Sequence, residues 1–81
     1  MTQREKTKQA MDELILTAKK DSQYTKDSVM NIMCICGSKQ MHAQGVTTEN
    51  ALKKATELIK SGLEKSKVYS ELLKLAGYEE E

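Results

Sequence analysis

No proline interrupts this chain of 81 residues, and its four glycines stand apart from one another, at Gly37, Gly45, Gly62 and Gly77. Inside a helix proline costs ~3 kcal/mol and glycine ~1 kcal/mol relative to alanine, so a chain without the first and poor in the second can run in helices between a few turns. Isolated glycines also exclude a phosphate-cradling loop of the P-loop or dinucleotide type. The first expectation is therefore an all-α chain.

The apolar spacing supports it. Met11, Leu14, Ile15 and Ala18 recur at i, i+3, i+4 and i+7 and predict a first helix over residues 2–20. "KDSQYT" breaks that pattern, and Ser22 or Thr25 can cap a second helix beginning near Lys26. The second helix ends either at Gly37 or, continuing through Ala43, at Gly45. In "GVTTENALKKATELIKSGL" a third helix follows Thr47 as N-cap, with Glu49 and Asn50 in its first turn and Ala51, Leu52, Ala55, Leu58 and Ile59 on one face. Gly62 followed by Leu63 fits a glycine C-terminal cap, and Gly77 followed by Tyr78 repeats it after a fourth helix over residues 65–76. Residues 78–81 read as a frayed acidic tail. These elements make a single helical domain spanning residues 1–81, a small four-helix bundle-like domain with short loops.

"VMNIMCICG", residues 29–37, is the most apolar stretch. At about 100° per residue, Val29, Met33 and Cys36 fall near one line, Met30 and Cys34 to one side, and Ile32 and Ile35 to the other. A helix apolar nearly all round is usually buried on several sides, which makes the second helix the candidate for the centre of the bundle or for a shared surface. Cys34 and Cys36 point about 200° apart on such a helix, so they neither chelate one ion nor form an unstrained disulfide. The chain has a single histidine, His42, and no second pair of ligands to complete a zinc site. Both cysteines are expected as reduced thiols in the core, with no metal and no cofactor.

Hydrophobic residues make up 38% of the chain and charged residues 31%, without Phe or Trp. A chain this short buries about 60–70% of its unfolded surface, enough for a small core but not for a deep substrate pocket. His42 has no local partner that would make a Cys–His nucleophile, and carboxylates adjacent in sequence, such as Asp12 and Glu13, point to different faces of a helix. The expectation is a protein without enzymatic activity or a small-molecule substrate. Thirteen Lys and Arg against twelve Asp and Glu give +1, so no global field draws the chain to nucleic acid or anionic lipid. No apolar run reaches the ~20 residues of a membrane span, and "MTQREKTKQAMDE" lacks the layout of a signal peptide. Together with unpaired cysteines, this predicts a cytoplasmic protein.

One segment bears on DNA. "ELIKSGLEKSKVYSELLKLAG" resembles the helix-turn-helix of small bacterial DNA-binding regulators. Leu58 and Ile59 seat its first helix, Gly62 makes the turn, and Leu63 and Val68 plug the space between helices. The resemblance implies a second helix that presents Lys65, Ser66, Lys67, Ser70 and Lys74 to phosphates and base edges. The segment departs from the motif at Glu71, where an apolar residue is usual, and its reading helix has no Arg, Asn or Gln for bidentate base contacts. An ordinary helical hairpin accounts for the same apolar positions, so both readings stand.

The breadth of apolar surface points to protein partners. Val68, Tyr69, Leu72, Leu73, Leu75 and Ala76 span about 160° of the fourth helix, a face wide enough for two neighbours. Met30, Met33 and Met41 add flexible apolar surface of the kind used at adaptable interfaces. Leu16 falls off the main stripe of the first helix. The leading expectation is a regulatory protein that binds a protein partner or itself as a homo-oligomer, acting as adaptor, assembly factor or inhibitor. Its interface is expected at Met30, Met33, Met41, Tyr69, Leu72 and Leu73.

Overall fold

The computed structural model describes residues 2–21 and 23–78. Their helices are α1 (Gln3–Lys20), α2 (Lys26–Cys36), α3 (Lys39–Ala43), α4 (Thr48–Lys60) and α5 (Lys65–Leu75). Four of these form the expected all-α bundle-like domain, and α3 is a single added turn. The Cα radius of gyration is 11.9 Å, close to the ~11.7 Å of a compact domain of this length. No described helix is long and apolar enough to cross a membrane. The acidic residues 79–81 lie outside the described residues.

Local chemistry sets the helix ends. The hydroxyls of Thr2, Thr25, Ser38 and Thr47 accept from the backbone N–H groups of Glu5, Ser28, Met41 and Asn50, so each supplies an N-cap. Thr25, expected as a cap of the second helix, serves as its N-cap, and Ser22 lies outside the described residues. Both glycines considered for the end of that helix have a role. Gly37 is the C-cap of α2 with an ordinary φ of −97°, and Ser38 at once starts α3. Gly45, at φ 79°, closes α3. There Gly45 N donates to His42 O and Val46 N to Met41 O, the paired bonds of a Schellman motif. The same pair recurs at Gly77 and Tyr78, whose N–H groups donate to Lys74 O and Leu73 O.

The centre of the bundle is α4, not α2 as the apolar run suggested. It packs against α1, α2, α3 and α5, and it buries Ala51, Leu52, Ala55, Thr56 and Ile59. Alanines let α1 lie close along it: Ala10, Leu14 and Ala18 form the buried line of α1. Thr56, buried in α4, satisfies its hydroxyl by donating to Leu52 O at 2.9 Å.

On α2 the core line is Ser28, Ile32 and Cys36. A serine heads it because its polar atoms are occupied: Ser28 Oγ lies 3.1 Å from Thr25 Oγ1, and Ser28 O accepts the Tyr69 hydroxyl at 3.3 Å. This rotates α2 relative to the sequence reading. Val29 and Met33 sit at the edge of the core rather than in its line, and Cys34 is exposed while Cys36 is fully buried. The expectation of two core cysteines is thus corrected for Cys34, which the 200° separation carries to the opposite face.

The breadth of α5 is used as expected of two neighbours. Val68, Leu72 and Ala76 enter the core, and α5 packs on both α4 and α2.

Candidate functional site

Where α1 meets α2, an apolar groove of about 510 Å³ opens to the surface. Ile15 and Ala18 form the α1 wall, Val29, Met30 and Met33 the α2 wall, and Tyr24 closes one end. The α2 wall follows from helical spacing: Lys26, Val29, Met30 and Met33 stand at i, i+3, i+4 and i+7 and share a strip beside the core line. Met30 is 53% exposed, unusual for a side chain of its size in this chain. Farther along α1, Met11 lies in a shallow apolar depression flanked by Arg4 and Lys8.

Two ammonium groups line the groove, Lys19 from the last turn of α1 and Lys26 from the first residue of α2. Both belong to the end where the chain passes from one helix to the other. Tyr24 at that end donates its hydroxyl to Leu63 O at 3.3 Å. Burial, helped by the nearby Asp21 carboxylate, pushes its pKa up, so Tyr24 remains a neutral donor. Asp21 accepts from Gln23 N at 3.1 Å and from Gln23 Nε2 at 3.2 Å.

The residues expected at a partner interface divide. Met30 and Met33 come together in the groove. Met41 and Leu72 are fully buried, Met41 under α3 and Leu72 under α5, so neither offers surface to a partner and both are corrected to core residues. Tyr69 and Leu73 are half-buried on α5, where the Tyr69 hydroxyl ties α5 to α2. Leu16, 59% exposed, lies about 100° round α1 from Ile15 and is not part of the groove. Ile15, Val29, Lys19 and Lys26 were missed as site residues, although the spacing of 26, 29, 30 and 33 carries the signal.

Of the residues implied for DNA, Ser66, Lys67, Ser70 and Lys74 share one arc of α5 opposite its core line. Lys65 does not join them: it is half-buried, and its backbone N–H donates to Gln23 Oε1 at 3.1 Å. Glu71 enters the same arc, 3.7 Å from Lys74. Glu64 stands at the N-cap of α5 without a side-chain cap bond, placing a carboxylate at the end where a phosphate would dock.

His42 is exposed, its Nε2 3.2 Å from Thr48 Oγ1. Burial pushes the Cys36 thiol up to about 12, far from a reactive thiolate. Among the described residues no three His, Cys, Asp or Glu side chains gather as metal ligands. No family model matches the chain, and no match was found among curated proteins or among solved structures.

Proposed function

We propose that the protein works by binding another protein through the α1–α2 groove, in the manner of an adaptor, assembly factor or inhibitor, without chemistry of its own. The observation that supports this most is the exposure of Met30 beside the half-buried Met33, Val29 and Ile15, which together line one groove. Methionine adapts its shape to an incoming surface and gains from leaving water, which suits a contact that forms and releases. A photoreactive diazirine side chain installed at position 30 should crosslink one discrete protein species in lysate, and the same group at Lys54, exposed on α4, should not. Equal labelling from both positions would refute the proposal.

A second reading is DNA binding through α5, favoured by the shared arc of Ser66, Lys67, Ser70 and Lys74. Phosphate contacts release counterions, so that binding falls steeply with salt, whereas an apolar groove responds weakly. Titration of a labelled duplex across a salt series separates the two. Affinity that Lys67→Ala weakens and Met30→Glu leaves intact favours DNA.

A further inference from the structure

We infer that the occupant of the α1–α2 groove is an amphipathic helix of a partner protein with carboxylate side chains gathered at one of its ends. The inference rests on the protein-binding reading above and adds the chemistry of the partner.

Charge is the first ground. Lys19 and Lys26 line the same end of the groove, and neither enters an ion pair among the described residues. Two lysines outside the groove do have carboxylate partners: Lys53 meets Glu49 and Lys60 meets Glu13, each at 2.9 Å. The carboxylates nearest in sequence do not serve the groove pair. Asp21 is held by Gln23, and Asp27 points about 100° round α2 from Lys26, away from the groove wall. The lysine end is therefore a cationic mouth on an apolar trough, and the complementary ligand is apolar along its length and anionic at one end.

Length is the second ground. From Lys26 to Met33 the strip on α2 runs about 10 Å, two turns of helix. An incoming helix matches that span with apolar anchors at i, i+4 and i+7, the usual pattern of a helix seated in a groove. Its acidic residues then fall in the terminal turn that reaches Lys19 and Lys26, so the groove fixes the direction in which the helix lies.

A phage-displayed library of helical peptides of about 16 residues, ~24 Å long, tests this. It would be selected on the wild-type protein and counter-selected on Met30→Glu, whose fold is checked by circular dichroism. Recovered peptides should share the i, i+4, i+7 apolar pattern with two or more Asp or Glu in one terminal turn. The Lys19→Glu, Lys26→Glu double variant should weaken a representative peptide roughly tenfold at low salt, the sum of two exposed ion pairs, and less as salt rises. A peptide with lysines in place of its acids should regain the loss. Recovery of neutral or basic-ended peptides with equal affinity overturns the inference and leaves the protein-binding groove standing. Failure to recover any peptide that distinguishes wild type from Met30→Glu overturns both. A dimer by light scattering that Met30→Glu dissociates assigns the groove to a second copy. Oleate binding that Met30→Glu abolishes, with no peptide selected, assigns it to a lipid chain. Either result overturns the inference.

Discussion

Gln23 should be a long-range cap, and its loss should be measurable. Its side chain joins two connections 40 residues apart in the chain: Oε1 accepts from Lys65 N at 3.1 Å, while Nε2 donates to Asp21 Oδ2 at 3.2 Å and to Leu63 O at 3.4 Å. Lys65 is the first residue of α5, and Glu64, at the N-cap, makes no side-chain bond of its own. The free N–H at that helix start is thus satisfied from the α1–α2 connection. Removing an N-cap acceptor costs ~1 kcal/mol. The bond to Leu63 O is long and adds only a few tenths of a kcal/mol, by the ~0.5–1.5 kcal/mol of a well-formed bond. Gln23→Ala should therefore destabilise the fold by about 1–1.5 kcal/mol, lowering Tm by roughly 4–10 °C in a domain of this size. Thermal and urea unfolding followed by circular dichroism give the total, and hydrogen exchange locates it. Protection should fall first at the Lys65 amide and the opening turn of α5. A variant as stable as wild type to within ~0.3 kcal/mol, with the Lys65 amide still protected, would refute the reasoning.

Native protein should titrate one thiol rapidly with a chromogenic disulfide and the second only in denaturant. Cys34 is exposed, whereas a Cys36 pKa pushed up to about 12 by burial leaves roughly one thiolate in ten thousand at pH 8. Two thiols reacting at similar rates in the native state would contradict the burial. The Glu49 carboxyl is held below its ordinary range by hydrogen bonds from Lys53, against an opposing burial effect, and by Gln3. Its contribution to stability is full above the unfolded value of 4.5 and is lost as pH falls through the lowered folded value. Glu49→Gln should accordingly flatten the acid limb of a stability–pH curve, and an unchanged limb would count against the ion pair. Leu72→Ala should cost about 2–5 kcal/mol by leaving a core cavity, whereas Met30→Glu should shift stability by no more than ~0.5 kcal/mol as a surface change. Chemical denaturation of both variants checks the contrast, and a strongly destabilising Met30→Glu would mean that Met30 is packed.

Much of the fold was legible because helix periodicity and capping chemistry are local. Thr47, Thr25, Gly62 and Gly77 mark helix ends through bonds spanning three to five residues, so the sequence contains both partners of each. The rotation of α2 was not legible. Hydropathy places Val29, Met33 and Cys36 in one apolar line, but the helix turns Ser28 inward instead, with its hydroxyl 3.1 Å from Thr25 Oγ1 and its carbonyl accepting from the Tyr69 hydroxyl 41 residues away. A polar residue can head a core line only when its polar atoms are satisfied, and the contact from α5 that contributes here lies outside any local window of sequence. The same limit hid the site. Met30 and Met33 were visible as interface candidates, but Met41 and Leu72 looked equivalent to them until packing separated core from surface. Lys19 and Lys26 gain meaning only from Ile15 and Val29 between them.

The position of the groove follows from which helix took the centre. With α4 in the middle, α1 packs chiefly on α4 and only lightly on α2, while α2 divides its contacts between α4 and α5. The seam between α1 and α2 is therefore backed on its inner side by the core, and among the described residues no element covers its outer side. Ile15, Val29 and Met33 each remain half-buried there. A further helix laid along the seam would complete their burial, at about 25 cal/mol for each Å² of apolar surface removed from water. The described helices are all committed elsewhere: α3 is one turn spent on burying Met41, and α5 lies on α2 and α4. A helix docked there, as proposed, would finish this part of the core, and the two lysines at the mouth would give it a direction.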